Sequence, residues 1–192
     1  MTAQAIKMYS EKEYLELERE AEYKSEYYRG EIFAMAGASP NHNRILENLS
    51  GECYIALKGK SCQSFSSDMR LHIPQNDLYT YPDLLIVCGK PEFSEIDKDT
   101  LINPSVIIEV LSKTTASYDR GNKFRLYRSI STLMEYILVD SLSVSVEVFR
   151  KNEDGSWTFV SEINNIEEQI LLTSINAQLK LSDIYAQTNG LV

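Results

Sequence analysis

The feature that most constrains the fold is a pair of short apolar segments separated by one helical pattern. The segments are Val106–Leu111 and Tyr136–Val139, and the helical pattern runs from about Tyr118 to Ile130. Parallel strands need a long crossover connection, usually a helix, and buried parallel strands are apolar on both faces. The pattern therefore predicts a strand–helix–strand unit whose two strands pair in parallel.

Two further helices are predicted from their start signals. Ser10 lies three residues before Glu13, which is the spacing of a capping box, and predicts a helix over about Glu11–Glu22. Ser39 is followed by proline, an arrangement typical of an N-cap and a first helical residue. This second helix is predicted to end near Lys58, where a glycine follows.

The remaining segments predict a sheet that continues into antiparallel strands. Gly30 lies between two aromatic-rich stretches and predicts a β-hairpin that ends near Met35. The length of 192 residues corresponds to about one domain. We therefore expect one domain over residues 1–192, with a mixed α/β sheet, flanking helices and an antiparallel β extension. Further strands are predicted at Cys62–Ser66, Asp68–Ile73, Tyr81–Val87, Ser143–Arg150, Trp157–Ile163 and Ile170–Leu172.

Charge and cysteine content narrow the classes of protein to which this chain can belong. The net charge of −9 argues against a protein that coats nucleic acid without specificity, because that affinity comes from neutralising phosphates. The three cysteines, Cys53, Cys62 and Cys88, match no zinc-binding spacing and predict free thiols in a reducing cytoplasm. No apolar signal segment and no membrane-spanning run is present. We therefore expect a cytoplasmic protein with no membrane partner.

Two acidic residues stand out because they lie in otherwise apolar strands. Glu109 lies within PSVIIEVLS, and Asp83 lies near the start of the strand in TYPDLLIV. A buried carboxylate costs several kcal/mol unless it is paired, protonated or bound to a metal. If the two strands are neighbours, the two acids converge, and a divalent cation such as Mg²⁺ or Mn²⁺ would relieve their repulsion. The alternative is that each acid forms its own buried ion pair with Arg or Lys.

The order of these motifs resembles that of the PD-(D/E)xK nuclease superfamily, which has the restriction-endonuclease-like fold. More narrowly, the chain resembles a bacterial family of restriction-endonuclease-like proteins, over about residues 10–185. The resemblance implies a metal-dependent DNA endonuclease in which Asp83 and Glu109 hold Mg²⁺ or Mn²⁺. The matching segments are Gly30–Ile45, Ser66–Ile73, Tyr81–Val87, Pro104–Tyr127 and Leu133–Asp140.

The chain departs from the superfamily motif at the lysine. The motif has a lysine two residues after the glutamate, and this chain has Leu111 there. Lys123 lies in the following helix, with Tyr127 one turn further along the same face, and Lys113 shares strand parity with Glu109. We favour Lys123 as the residue that orients the attacking hydroxide and offsets charge on the phosphate. One alternative is that Lys113 takes this role. The other is that Lys123 is only a charged helix residue that faces solvent.

Other polar residues are weaker candidates. His42, in the first turn of the second helix, could contact a phosphate or orient a water, or face solvent. Asp68 could add a metal ligand or a supporting acceptor, or cap a strand end. Glu31 is a lesser candidate, and Asp119 is typical of ordinary helix capping. Among the tyrosines, Tyr23 is one of several that could stack on bases, the alternative being half-buried strand positions.

The favoured function is a metal-dependent DNA endonuclease, and a homodimer would supply the two sites that cleavage of both strands requires. The alternative is a nuclease-fold module that binds nucleic acid or another partner without catalysis, which Leu111 and the net charge of −9 favour. An RNA substrate is a third hypothesis. Kinase, hydrolase-triad and zinc-protease classes have no support, because the chain lacks their Gly-rich loop, GxSxG and HExxH motifs.

Overall fold

The structure is a computed structural model that describes residues 7–191. Its helices are α1 (Glu11–Glu20), α2 (Pro40–Leu57), α3 and α4 (Leu181–Ile184), with short 3₁₀ turns at Pro74–Asn76 and Thr173–Ile175. The name α3 denotes three consecutive segments, Ala116–Tyr118, a π-helical turn over Asp119–Lys123, and Phe124–Tyr127. The strands are β1 (Ser25–Tyr28), β2 (Glu31–Ala34), β3 (Cys62–Ser66), β4 (Arg70–Ile73), β5 (Leu78–Thr80), β6 (Leu84–Cys88), β7 (Thr100–Leu101), β8 (Val106–Leu111), β9 (Glu135–Asp140), β10 (Val146–Lys151), β11 (Trp157–Ile163), β12 (Gln169–Leu172) and β13 (Ala177–Lys180).

Both helix starts that the sequence predicts are confirmed. Ser10 and Glu13 form a reciprocal capping box at α1, in which each side chain accepts a hydrogen bond from the other residue's backbone N–H. At α2, the Ser39 hydroxyl accepts a hydrogen bond of 3.2 Å from the backbone N–H of His42. These contacts satisfy N–H groups that the first turn of a helix leaves without partners.

The strands form a mixed architecture of two larger sheets and one hairpin. The six-stranded sheet has the order β11-β10-β9-β8-β6-β3, and the five-stranded sheet has the order β2-β1-β5-β4-β7. Strands β12 and β13 pair separately. The predicted strand–helix–strand unit is confirmed, because β8 and β9 pair in parallel and α3 lies between them along the chain. The predicted mixed α/β fold is likewise confirmed, although it is divided between separate sheets.

The six-stranded sheet has an apolar layer on each face. On one face, Ile45 and Leu49 of α2 join a buried cluster with Ile108 of β8. On the other face, Ile107 of β8 joins a cluster with Phe124 of α3. Because side chains alternate along a strand, this second face is also the one to which Glu109 points.

The break between the two sheets lies at Tyr81-Pro82-Asp83. The sequence predicts one strand over Tyr81–Val87, but β6 begins at Leu84, and β5 of the other sheet ends at Thr80. Pro82 has no N–H to contribute to a ladder, which favours a strand boundary here. The chain therefore crosses from one sheet to the other immediately before Asp83.

The cysteine prediction is wrong for two of the three residues. Cys62 and Cys88 form a disulfide, and only Cys53 among the described cysteines is a free, buried thiol. Strands β3 and β6 pair antiparallel with Cys62 opposite Cys88, and their Cα atoms lie 4.0 Å apart. This proximity depends on the strand register, which the cysteine spacing alone does not reveal.

Within residues 7–191, no helix combines the length and the apolar character that a membrane crossing requires.

A buried ion pair holds the charged segment that follows β6 against the five-stranded sheet. The guanidinium of Arg70 in β4 contacts the Asp97 carboxylate at 2.5 Å, and both side chains are less than one-tenth exposed. Arg70 also donates hydrogen bonds to Thr100 and to the Tyr81 hydroxyl, at 2.8 and 2.9 Å. Arg19 of α1 reaches the second oxygen of Asp97 at 3.0 Å. The network therefore joins helix α1, the loop and the strand boundary beside Asp83.

We predict that Asp97→Asn lowers the free energy of unfolding at pH 7 by about 3–5 kcal/mol, because it leaves Arg70 buried without its counterion. Burial alone would raise the pKa of Asp97, but hydrogen bonds from Thr100, Arg70 and Arg19 outweigh it and lower the pKa. The stabilisation is therefore present above the unfolded pKa of about 3.9 and is lost as the pH falls below it.

Urea denaturation of both proteins from pH 7 downward tests this. The difference between the wild type and Asp97→Asn should shrink below about pH 4. Asp68→Asn is the matched control, because the Asp68 side chain is 90% exposed and its ion pair with Lys24 contributes little. A difference that grows on acidification would contradict the prediction.

Candidate active site

A cleft of about 690 Å³ opens where β1, β2, α2, β8 and α3 approach one another. The four residues predicted to be catalytic all line it, although they are far apart in the sequence. They come from the start of α2, the residue before β6, the middle of β8 and the π-helical turn of α3. These residues are His42, Asp83, Glu109 and Lys123.

The two predicted acids lie side by side because β6 and β8 are antiparallel neighbours. Leu84 is opposite Ile108 in this ladder, so that Asp83 comes next to Glu109. The backbone N–H of Asp83 donates a hydrogen bond of 3.2 Å to Glu109 Oε2. The N–H of Val110 donates one of 2.8 Å to Asp83 Oδ2. Each carboxylate is thus oriented by a backbone N–H of the segment that carries the other.

Lys123 approaches Glu109 from α3. Its Nζ lies 3.1 Å from Glu109 Oε1, and the Tyr127 hydroxyl donates a hydrogen bond of 2.7 Å to the same oxygen. The two α3 residues are four positions apart and therefore share a helix face. A π-helical turn ends at Lys123, and such turns frequently occur at functional sites.

His42 lies beside the other acid. Its Nε2 is 3.3 Å from Asp83 Oδ2, and the His42 side chain is 11% exposed. Burial would lower the pKa of His42, but the hydrogen bond and the negative charge of Asp83 outweigh it and raise the pKa. The imidazole is therefore held at the cleft wall rather than facing solvent.

Three of the weaker sequence candidates lie elsewhere. Asp68 follows β3 and pairs with Lys24 at the surface. Glu31 begins β2, opposite Tyr28, and Lys113 is exposed beyond the end of β8. None of Asp68, Glu31 and Lys113 is among the described residues that line the cleft.

Comparison with known proteins assigns the chain to a family. A family model described as "Uma2: Putative restriction endonuclease" matches residues 11–182. The chain belongs to the Uma2 family. The predicted resemblance to the restriction-endonuclease-like superfamily is thereby confirmed.

Similar proteins include two from Synechocystis sp. (strain ATCC 27184 / PCC 6803 / Kazusa). The Uncharacterized protein sll1609 is 40% identical over 157 residues, which cover 82% of this chain and 89% of that protein. The Uncharacterized protein slr1290 is 36% identical over 176 residues, which cover 92% and 90%. The crystal structure of "a putative nuclease belonging to DUF820" from Anabaena variabilis ATCC 29413 has a TM-score of 0.72 at 20% identity, covering 91% of this chain and 96% of that chain. This chain therefore shares the fold of that structure.

Two further acids in this Uma2 site were missed by the sequence analysis. Glu26 of β1 lies 3.3 Å from Lys123 Nζ and accepts a hydrogen bond of 2.5 Å from the Thr80 hydroxyl. Asp119 lies 3.7 Å from the same nitrogen, so it is more than a helix cap. The i,i+4 spacing of Asp119 and Lys123 could have predicted that these two residues are neighbours on one helix face. Nothing in the short tyrosine-rich strand around Glu26 predicts that this residue reaches Lys123.

The site contains more acidic groups than its lysine can neutralise. Burial raises the pKa of Glu109, and the charges of Asp119 and Asp83 add to this effect, while Lys123 opposes it. For Lys123, the attraction of Glu109, Glu26 and Asp119 outweighs burial and raises the pKa. The ammonium is therefore held in its charged form among the carboxylates that surround it.

The donor set fits a hard divalent cation. Asp83 and Glu109 offer adjacent oxygen ligands at the cleft, which suit Mg²⁺ or Mn²⁺. Across residues 7–191, no group of three or more His, Cys, Asp or Glu side chains is arranged to hold a metal ion. Mg²⁺ commonly keeps several waters and binds through one or two carboxylates together with substrate phosphates. Two carboxylates therefore suffice for a site that is completed by substrate.

We predict that Lys123→Met lowers the free energy of unfolding by about 3–5 kcal/mol, because Glu109 and its neighbouring acids lose their buried counterion. The matched control is Lys113→Met, which removes an exposed lysine beyond the end of β8 and should leave stability nearly unchanged. Urea denaturation at pH 7 measures both. Equal stabilities for the two variants would contradict the ion pairs described above.

Proposed function

We propose that this protein is a divalent-metal-dependent nuclease that hydrolyses phosphodiester bonds in DNA. The observation that carries the proposal is the position of Lys123 Nζ, 3.1 Å from Glu109, with Asp83 at the residue before the neighbouring strand β6 and all three at an open cleft. The descriptions of the family and of the Anabaena variabilis protein, which name a restriction endonuclease and a nuclease, support the same class.

In this proposal Asp83 and Glu109 hold one Mg²⁺ or Mn²⁺ ion. When bound, the ion lowers the pKa of a water and polarises a phosphoryl oxygen. Lys123 is fixed by its carboxylate contacts, so its ammonium can orient the attacking hydroxide and offset negative charge that develops on the phosphate. His42 orients Asp83 through its contact at 3.3 Å. Tyr127 orients Glu109 from within the core, through its hydroxyl.

The alternative is a nuclease fold that binds nucleic acid without catalysis. Leu111 occupies the strand position where the superfamily motif has lysine, and it is buried in the apolar core. The position of Lys123 favours catalysis, because it offers an ammonium next to Glu109 from a different element. An RNA substrate, a homodimer that would cut both strands of a duplex, and a cytoplasmic location remain predictions from the sequence.

We predict that the purified protein cleaves plasmid or single-stranded circular DNA in Mg²⁺ or Mn²⁺, and that EDTA abolishes the cleavage. Asp83→Asn and Glu109→Gln should each reduce the rate by 100-fold or more, roughly the range for loss of one key charge-stabilising group. Tyr54→Ala is the control, because Tyr54 is exposed on α2 and does not line the cleft. Gel electrophoresis of timed samples measures the products, and equal rates for wild type and Asp83→Asn would reject the assignment.

We also predict that Mn²⁺ raises the melting temperature of the wild type, because a ligand that binds only the folded state stabilises it. Asp83→Asn and Glu109→Gln should lose this increase, whereas Asp68→Asn, which alters an exposed acid outside the cleft, should retain it. Differential scanning calorimetry with and without Mn²⁺ distinguishes the cases. An increase that persists in Asp83→Asn would place the metal elsewhere.

A further inference from the structure

The cleft presents aromatic side chains to solvent where a duplex-binding groove would present basic ones. We infer that it binds unpaired nucleotides, whose bases stack on Tyr23, Phe33 and Tyr118, and that single-stranded DNA is its substrate in preference to duplex DNA. This inference rests on the proposed nuclease function and names the substrate class for the same site.

The first support is the concentration of exposed aromatic rings at the cleft. Tyr23, Phe33 and Tyr118 are 67%, 47% and 36% exposed, and all three line it. They are half of the six exposed aromatic residues among residues 7–191, the others being Tyr54, Phe93 and Phe159. Exposing an apolar ring to water is unfavourable, so rings that remain exposed at a cleft suggest a binding role. Grooves that bind single-stranded nucleic acids use such rings to stack successive bases.

The second support is the shortage of available positive charge. Among the described residues that line the cleft, the lysines are Lys24 and Lys123 and there is no arginine. Lys24 forms only an exposed ion pair with Asp68, at 3.0 Å, and Lys123 lies beside Glu109, so these two lysines can neutralise at most two phosphates. Duplex binding depends strongly on neutralising phosphates with free Lys and Arg. When no metal ion is bound, base stacking is therefore the main attraction that this cleft can offer to a nucleic acid.

The third support is the position of one ring beside the proposed catalytic lysine. Tyr118 lies in α3 just before the π-helical turn, and Lys123 Nζ is 5.9 Å from the centroid of its ring. The Tyr118 hydroxyl donates a hydrogen bond of 3.4 Å to Glu26, which limits the movement of the ring. A base stacked on Tyr118 would bring its adjoining phosphate towards Lys123 and the two proposed metal ligands.

The shape of the cleft agrees with this substrate. Its volume of about 690 Å³ is within the range of pockets that enclose small ligands. The segment 34–38, of sequence AMAGA, lines it and offers no side-chain charge. In a duplex the base faces are already stacked, so a base must be flipped out before it can use an aromatic platform. Unpaired DNA avoids that cost.

The test measures binding in EDTA, so that cleavage does not contribute. Fluorescence anisotropy compares a labelled 12-nucleotide single-stranded DNA, the same sequence as a blunt duplex, and the same sequence as single-stranded RNA. The first variant is a double leucine variant that combines Tyr23→Leu with Phe33→Leu, which keeps apolar bulk but removes both rings. The second is Phe33→Trp, which keeps a ring. Tyr54→Leu, on an exposed tyrosine outside the cleft, is the matched control.

We expect the single strand to bind about tenfold or more tightly than the duplex. The double leucine variant should lose about tenfold or more in affinity for the single strand, while Phe33→Trp and Tyr54→Leu should retain it. Raising the salt from 50 to 200 mM should weaken binding by less than about tenfold, because few phosphates are neutralised. If the single-stranded RNA binds as tightly as the single-stranded DNA, the result would support stacking on unpaired bases, whichever sugar carries them.

Two results would overturn the inference: a duplex that binds as tightly as the single strand, or a double leucine variant that binds the single strand like the wild type. The outcome is separable from that of the nuclease proposal. If neither plasmid nor single-stranded DNA is cleaved in Mg²⁺ or Mn²⁺ but the binding pattern holds, hydrolysis fails and the stacking inference stands. If duplex DNA is cleaved in Mg²⁺ or Mn²⁺ but the double leucine variant binds the single strand like the wild type, the nuclease proposal stands and the stacking inference fails.

Discussion

The buried carboxylate of Glu109 is the group on which the arrangement of the site depends. It lies in a strand that is buried along its whole length, and a charge in that environment is unfavourable unless its hydrogen-bonding and ionic partners are all present. Lys123 and Tyr127 provide them from α3, and the N–H of Asp83 provides one from the residue before the adjacent strand β6. Satisfying one carboxylate therefore fixes the position of α3 over the sheet and of Asp83 beside β8.

The boundary between the two sheets places the second acid where solvent can reach it. Pro82 ends the ladder, and Asp83 consequently lies just outside β6, with its side chain 18% exposed and available to the cleft. Tyr81, immediately before Pro82, is held by hydrogen bonds with Arg70 and Glu18. The buried Arg70–Asp97 pair is thus connected to the cleft through Tyr81, which lines it. A fixed support of this kind keeps the side chains that line the cleft in place before any ligand binds.

The local pattern predicted much of the fold. The strands at Cys62–Ser66, Val106–Leu111 and Trp157–Ile163 have the predicted bounds, because their composition favours extended chain throughout. The pattern was less informative where pairing partners decide the outcome. The charged loop after β6 contains β7, a two-residue strand that pairs with β4, and the Cys62–Cys88 contact follows from the register of β3 and β6.

The sequence by itself determined that Asp83 and Glu109 are costly to bury and that the two strands of the crossover unit run parallel, since both follow from residue type and local periodicity. Only the tertiary structure decided which cations and acids surround them. The choice of Lys123 over Lys113, and the arrival of Glu26 from β1, depend on how non-consecutive elements pack. Such packing depends on contacts summed over the whole chain, which no short stretch of sequence specifies.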